Sequence, residues 1–192
     1  MPVNSDPYLY PGTDVLRNIP DLRDPAQLAA FEANETTHRL ALLGVNPIPG
    51  QFDAAHLKAI HHFIFQDVFP WAGEFRTANL AKGGHLFGLP AFVESALTKV
   101  LANLVREHYL DGLDPKAFSL RAGHYLGEIN AIHPFREGNG RSQREFIREL
   151  GWRSGHRIRW TGITAQEMIE ASRRSFLSAD STLFANLIER CL

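Results

Sequence analysis

The sequence predicts an all-α bundle that carries a single β-hairpin. Apolar residues recur every three or four positions through most of the 192-residue chain, which is the spacing of helices that bury one face. Residues 77–88 contain Gly83-Gly84, a dipeptide suited to a hairpin turn. No internal repeat, low-complexity tract or linker divides the chain, so we expect one domain over residues 1–192.

Capping residues and apolar spacing place the helices of the first half. An amphipathic helix is predicted for residues 26–43, ending at Gly44 before two prolines. Asp53 is the expected N-cap of the next helix, and Pro90 begins a third. The core candidates are Leu28, Phe31, Leu40 and Leu43 in the first helix, Leu57, Ile60, Phe63 and Ile64 in the second, and Phe92, Leu97, Val100, Leu101, Leu104 and Val105 in the third.

Similar signals organise the second half. Asp114-Pro115 begins a helix that carries Phe118, His124, Leu126 and Ile129, and the next helix starts near Asn139. Thr164 and Glu167 form a capping box at the start of another helix. Ser178 or Ser181 begins the last helix, which carries Leu183, Leu187 and Ile188. Residues 156–160 are expected to form a short extended stretch. The whole pattern is that of a helical bundle.

Composition narrows the class of protein. Hydrophobic residues make up 44% and charged residues 21% of the chain, which is ordinary for a soluble globular protein. The net charge of −1 gives no general reason to expect nucleic acid or membrane as a partner. Cys191 is the single cysteine, which excludes an intramolecular disulfide and a cysteine-based metal cluster. With no signal peptide at the N-terminus and no apolar run of about 18 residues, the expected location is the cytoplasm.

Residues 133–144, His-Pro-Phe-Arg-Glu-Gly-Asn-Gly-Arg-Ser-Gln-Arg, combine the parts of a phosphate-transfer site. His133, a histidine with an unperturbed pKa near ~6.5, is a candidate general base, and Glu137 is a hard oxygen ligand suited to Mg²⁺. Gly138 and Gly140 let the backbone turn tightly and approach a ligand. Free N–H groups at the start of the following helix favour an anion. The run therefore predicts nucleotide-dependent group transfer.

Two arginines of this run, Arg141 and Arg144, lie three residues apart and share one helix face. Their guanidinium groups suit the oxygens of a polyphosphate. Between Arg136 and Arg159 the sequence contains seven arginines and three glutamates, a local excess of four positive charges. DNA binding could use such a patch, but its core coincides with the phosphate site, so ATP explains it more economically.

Other residues of the right chemical type are expected to be structural. Phe135 is a candidate core anchor, and Pro134 should hold His133 in an extended conformation. His61 and His62 are adjacent on a helix and point about 100° apart, so they cannot form a facing metal pair. His124 and the tryptophans at positions 71, 152 and 160 are expected to pack in the core or at an interface, which leaves an adenine pocket unassigned.

The run at 133–144 matches the signature of the Fic (Fido) family, His-x-Phe-x-(Asp/Glu)-Gly-Asn-Gly-Arg-x-x-Arg, at every specified position. The chain thus resembles short bacterial Fic toxins over roughly residues 6–190. The resemblance implies a helical Fic domain, an adenylyltransferase that moves AMP from ATP to a hydroxyl of a target protein. It assigns His133 as general base, Glu137 to Mg²⁺, Gly138, Asn139 and Gly140 to the α-phosphate, and Arg141 and Arg144 to the β- and γ-phosphates.

Two further segments extend the resemblance. Residues 69–76, Phe-Pro-Trp-Ala-Gly-Glu-Phe-Arg, are similar to the Trp-Ala-Gly-x-x-Arg stretch of the family, and residues 5–12 resemble the opening of short Fic toxins. The family's β-hairpin, the flap, then corresponds to about residues 74–90, within a domain core of about 50–160. In the family this flap pairs with an extended segment of the target. The expected docking residues are Lys82, Gly83, Gly84 and His85.

The sequence lacks the family's inhibitory motif. Fic proteins are often held inactive by a helix bearing Ser/Thr-x-x-x-Glu-Gly/Asn, whose Glu pairs with the second motif arginine, here Arg144. Glu32, Glu35, Glu170 and Glu189 do not fit that pattern. The resemblance therefore implies the class I type, a toxin whose inhibitory helix lies on a separate small antitoxin. Family analogy suggests the bacterial type II topoisomerases, DNA gyrase and topoisomerase IV, as targets.

Three other functions stay open at this point. Some Fic relatives transfer the γ-phosphate as kinases, but their motif departs from the Gly-Asn-Gly-Arg that is intact here. A catalytically inert Fic-fold binding module is a second alternative, although degenerate members usually lose a motif residue. Nucleic-acid binding is a third, and it predicts salt-dependent DNA binding that survives saturating ATP.

Overall fold

The computed structural model describes residues 6–192, and helices dominate them, which confirms the all-α class. The α-helices are α1 (Pro25–Val45), α2 (Ala54–Phe65), α3 (Val93–Arg106), α4 (Pro115–Ile132), α5 (Asn139–Arg153), α6 (Ala165–Ser178) and α7 (Thr182–Arg190). Two short strands, β1 (Ala81–Lys82) and β2 (His85–Leu86), form an antiparallel hairpin. Residues 1–5, which carry most of the predictions about the N-terminus, lie outside the described residues.

Among residues 6–192, no helix is both long enough and apolar enough to cross a membrane.

The predicted helix starts are confirmed by their capping hydrogen bonds. Asp53 accepts from the His56 backbone N–H at 2.8 Å, and Asp114 accepts from that of Ala117 at 2.8 Å. At α6 both halves of the capping box form between Thr164 and Glu167. These caps satisfy backbone donors that have no partner within the helix, so short local signals suffice to set where each helix begins.

Two predictions of local structure are wrong. Pro90 begins a 3₁₀ turn (Pro90–Phe92), and α3 starts only at Val93, so Phe92 lies before the helix with 62% of its surface exposed. Val105 is 54% exposed because it follows the buried Leu104 by one residue, which turns it about 100° away from the core. Residues 156–160, expected to be extended, are neither helix nor paired strand, and the Arg159 N–H donates to the Cys191 carbonyl at 2.9 Å.

The core places the loop of residues 133–138 at one end of the bundle. Helix α4 packs along α7, and a Cβ on Gly123 would lie 2.7 Å from the Ala185 nitrogen, so this close packing requires glycine. Helix α5 packs against both α2 and α4 through buried residues that include Phe146, Ile147 and Leu150. The loop that joins α4 to α5 is thereby fixed between three helices.

Candidate active site

His133 ends α4 and faces the hairpin. Its backbone N–H donates to the Ile129 carbonyl at 3.0 Å, and its φ of 50° and ψ of 63° are left-handed rather than extended. The expectation based on Pro134 is therefore wrong, because ending the helix here overrides the local preference before proline. The imidazole stacks on the Phe87 ring, with centroids 4.0 Å apart and planes at 9°.

The environment of His133 makes it a neutral imidazole. Burial lowers its pKa from the ordinary value of 6.5 to about 4, with further lowering by the charges of Lys82 and Arg76. The Asn130 carbonyl acts in the opposite direction but offsets only part of the effect of burial. The fold holds His133 ready to accept a proton at neutral pH without needing to lose one first.

In the free protein we expect the NMR titration of the His133 ring to have its midpoint near pH 4. Since the charge of Lys82 opposes protonation, Lys82→Ala should move that midpoint to higher pH. Lys116→Ala, which changes an exposed lysine at the start of α4, is the matched control and should leave the midpoint unchanged. A midpoint near 6.5 in the unmodified protein would contradict the buried, stacked placement of this ring.

The loop after His133 is fixed by its own side chains. Phe135 is fully buried, as predicted. The Asn139 amide accepts from the Phe135 N–H at 2.9 Å and donates to the Phe135 carbonyl at 2.7 Å. Gly138 has a φ of +81°, and a Cβ there would lie 2.3 Å from the Phe65 ring, so only glycine fits. The side chain of Asn139 thus shapes the loop, and the N–H groups of the helix start remain available to a ligand.

The Glu137 carboxylate lies on the exposed side of this loop. Its side chain is 44% exposed, and Oε1 accepts from the Gly138 N–H at 2.8 Å. Residues 6–192 contain no cluster of three potential metal ligands, so any cation here would rely on this single carboxylate. That donor set fits Mg²⁺, which commonly takes one or two protein carboxylates and completes its shell with phosphate oxygens and water.

His61 supports the loop from beneath, a role that the sequence did not reveal. Its Nε2–H donates to the Glu137 carbonyl at 3.0 Å, while Nδ1 accepts from the Gly73 N–H at 2.8 Å. The ring stacks on Phe135 with centroids 3.8 Å apart. Burial lowers the pKa of His61 to about 3, so it remains neutral. The neighbouring His62 bonds elsewhere, to the Ala72 carbonyl, which confirms that the two histidines do not form a facing pair.

The two motif arginines differ in their surroundings. Arg141 forms an ion pair with Glu32 of α1 and lies 3.5 Å from the Glu137 carboxylate. Arg144 has no carboxylate partner within residues 6–192, and burial lowers its pKa. Arg144 is therefore the motif arginine with an unsatisfied charge, and an anion is its natural partner.

The hairpin forms where the sequence predicted it. Ala81 pairs with Leu86, and Lys82 pairs with His85. Gly83 and Gly84 have φ values of +57° and +82°, the conformation that a tight two-residue turn requires. The side chains of both strands are exposed, so the hairpin can offer its outer edge to another chain.

A cavity of about 440 Å³ lies between the hairpin and α6, and no pattern in the sequence predicts it. Its apolar walls are formed by Phe87, Ile169, Phe176 and Leu177, with Asn130, Ser172 and Arg173 as polar groups. His133 and Lys82 line it as well, so it opens onto the candidate base. Since Phe87 and Phe176 lie far apart in sequence, no single segment indicates this pocket.

Arg76 joins the hairpin to the end of α4 and to His133. Its guanidinium donates to the carbonyls of Ala78 and Gly88, at the two ends of the hairpin segment, and to those of Ile132 and His133. The side chain is only 2% exposed. Arg76 is the last residue of the stretch resembling Trp-Ala-Gly-x-x-Arg, but its structural role does not follow from the sequence alone.

The arginines of the predicted basic patch do not lie together, because α5 separates some of them by its full length. Arg141 and Arg144 lie at the start of this 15-residue helix, which is about 22 Å long. Arg153, the last residue of the helix, pairs with Asp111, and Arg157, which follows the helix, stacks on Trp152. Only part of the charge excess therefore lies at the start of α5.

Comparison with known proteins assigns the fold. A model of the Fic/DOC family matches residues 51–150, which include the hairpin, the loop and nearly all of α5. The chain belongs to the Fic/DOC family. Its Fic/DOC region contains His133, Glu137, Arg141 and Arg144, the side chains that the geometry brings to one end of the bundle.

Named relatives and a solved structure share this fold. Protein adenylyltransferase VbhT of Bartonella schoenbuchensis is 42% identical over 189 residues, which are 98% of this chain but 39% of VbhT. Probable protein adenylyltransferase y4lH of Sinorhizobium fredii is 37% identical over 189 residues, 97% of this chain and 96% of y4lH. BepC of Bartonella tribocorum, crystallised with bound AMPPNP, has a TM-score of 0.88 and 27% identity, covering 96% of this chain and 95% of that one.

Proposed function

We propose that the protein transfers AMP from ATP to a Ser, Thr or Tyr hydroxyl of a target protein. The observation that carries this proposal is the placement of neutral His133 between the free helix start at residues 138–140 and the exposed hairpin. A base, an anion site and a surface for an extended chain thus meet at one end of the bundle. The adenylyltransferase names of relatives and the AMPPNP bound to BepC support the same chemistry.

The reaction follows from these positions. His133 accepts the proton of the target hydroxyl, whose oxygen attacks the α-phosphorus of ATP, and pyrophosphate leaves on the opposite side. The Gly138 N–H already donates to Glu137, so the backbone N–H groups of Asn139 and Gly140 at the start of α5 stabilise the charge on the α-phosphate. Arg144 binds the end of the polyphosphate, and Arg141 borders its middle.

Glu137 is the residue that would hold Mg²⁺. A cation there would neutralise charge on the phosphate oxygens. The Gly138 N–H fixes one carboxylate oxygen, and no protein donor within residues 6–192 bonds the other. One oxygen of the Glu137 carboxylate is therefore held in place, and the other is free to bind a cation.

The cavity between the hairpin and α6 is the proposed site of the nucleoside. Its volume of about 440 Å³ and its aromatic walls at Phe87 and Phe176 suit a planar base. Asn130 is buried and donates to the Ser172 carbonyl at 3.0 Å, which fixes its amide at the wall of the pocket. With the base there and the polyphosphate at α5, the α-phosphate would lie beside His133.

Docking of the target is proposed at the hairpin residues Lys82, Gly83, Gly84 and His85. Strand addition aligns a target segment through main-chain hydrogen bonds and demands little of its sequence. The stacking of Phe87 on His133 couples this edge directly to the base. A hydroxyl on the added strand would then lie over the imidazole.

The biological role that we propose is the toxin of a toxin–antitoxin pair acting in the cytoplasm. The support for an antitoxin is that Arg144 has no carboxylate partner within residues 6–192, so the glutamate of a partner helix would fit it. DNA gyrase and topoisomerase IV remain the proposed targets by family analogy. Arg144→Ala should weaken both ATP binding and inhibition by that partner, and full inhibition of the variant would contradict this arrangement.

The test exposes bacterial lysate to the purified protein, Mg²⁺ and ATP labelled at either the α- or the γ-phosphate. We expect a discrete protein band labelled from α-ATP only. Label from γ-ATP alone would make the protein a kinase-like phosphotransferase, and ATP binding without label, in lysate supplemented with gyrase and topoisomerase IV, would favour the inert module. DNA binding that survives saturating ATP would favour the nucleic-acid alternative instead.

A further inference from the structure

Arg141 is held from outside the motif, by two residues of α1. Its Nη2 forms an ion pair with the Glu32 carboxylate, and its Nη1 donates to the Thr36 hydroxyl at 3.1 Å. The Thr36 hydroxyl donates in turn to the Glu32 carbonyl at 2.7 Å, which leaves an oxygen lone pair for the arginine. Thr36 is 2% exposed and the Glu32 side chain 15% exposed, so this contact is built into the interior.

Two carboxylates compete for the same guanidinium nitrogen. Glu137 precedes Arg141 by four residues, and its Oε1 lies 3.5 Å from Nη2, the atom that Glu32 binds more closely. A glutamate and an arginine at this spacing pair readily. Without Glu32, the nearest negative partner of Arg141 would be Glu137, the carboxylate assigned to the cation.

We infer that Glu32 is a positioning residue that, together with the Thr36 hydroxyl on Nη1, keeps Arg141 from approaching Glu137 more closely than 3.5 Å. This inference rests on the proposed function. Glu32 leaves the Glu137 carboxylate open to a divalent cation and balances one positive charge beside the polyphosphate. Arg141 is then held by α1, and Arg144 is left as the motif arginine without a carboxylate partner within residues 6–192.

For Glu32→Gln we expect two effects of opposite sign, one on ATP and one on the cation. Loss of one negative charge should tighten the binding of ATP in the presence of EDTA by about three- to ten-fold, because the polyphosphate then faces a net more positive site. Pairing of the released Arg141 with Glu137 should raise the Mn²⁺ concentration needed for half-saturation of the protein–ATP complex by about three- to ten-fold. Calorimetry and Mn²⁺ electron paramagnetic resonance measure these without any turnover.

The matched control is Glu35→Gln, one turn away on α1, whose carboxylate bonds only the neighbouring Asn34 amide within residues 6–192. It should change neither quantity. Thr36→Val removes the hydroxyl that accepts from Nη1 of Arg141 and does not change the charge of the site. It should therefore weaken Mn²⁺ binding and leave ATP binding in EDTA unchanged. If Glu32→Gln weakens both, or matches Glu35→Gln in both, Glu32 is merely structural and the inference fails.

Failure of the proposed function is distinguishable from failure of this inference. If the unmodified protein binds ATP but labels no protein, the transfer reaction is wrong, while the two binding measurements still decide the role of Glu32. If Glu32→Gln does not fold, Thr36→Val provides the decision on its own, since an unchanged Mn²⁺ requirement in that variant would overturn the inference.

Discussion

His133→Asn is expected to reduce the rate of AMP transfer by about 10²–10⁴-fold, the usual consequence of removing a general base. Asparagine is a better replacement than alanine because it tolerates the left-handed φ of 50° that His133 adopts at the end of α4. Alanine would add backbone strain to the loss of the imidazole. The measurement is kcat with α-labelled ATP and an identified target, at pH 7.

Nucleotide binding separates loss of the base from loss of the site. The phosphate contacts belong to the helix start and Arg144, so His133→Asn should bind ATP within about three-fold of the unmodified protein, a change worth less than about 1 kcal/mol. His124→Asn is the matched control, since His124 lies on the same helix, nine residues earlier, and should retain full activity. If His133→Asn retained a tenth or more of kcat, the assignment of His133 as general base would be contradicted.

Local chemistry made much of this molecule predictable from its sequence. The caps at Asp53, Asp114 and Thr164 act within one helical turn, so a single sequence contains the whole signal. The hairpin at Gly83-Gly84 is equally local. The motif of residues 133–144 combined enough specific residue types in one run to indicate both the helix start and the phosphate chemistry.

The features that escaped prediction depend on contacts between distant segments. Glu32 meets Arg141 across 109 positions, and His61 meets Glu137 across 76. Nothing in the neighbourhood of Glu32 or His61 distinguishes them from ordinary helix residues. The shift in the pKa of His133 has the same origin, because burial beneath Phe87 is a property of the assembled fold. The candidate reacting groups could be identified from the sequence, whereas their hydrogen-bond partners and the pKa of His133 required the structure.

Arg76→Lys is expected to lower the free energy of unfolding by about 3–5 kcal/mol, the range for disrupting a buried, fully bonded charge. The guanidinium reaches four carbonyl oxygens from one planar group, with distances between 2.6 and 3.3 Å. A lysine ammonium keeps the charge but has three donors around a single atom, so it cannot span the same acceptors. At least one buried carbonyl would lose its partner, and the ammonium would remain poorly solvated.

The same substitution should affect the hairpin more than the rest of the fold, because Arg76 ties Ala78 and Gly88 to the loop at His133. Urea unfolding measures the global effect, and amide hydrogen exchange should show the greatest loss of protection in residues 78–88. Arg106→Lys, at an exposed arginine that within residues 6–192 bonds only Asn103, is the control and should change stability by less than about 0.5 kcal/mol. If Arg76→Lys were as stable as this control, the bonds from Arg76 would not hold the hairpin. Its alignment over His133 would then have to depend on the Phe87 stack alone.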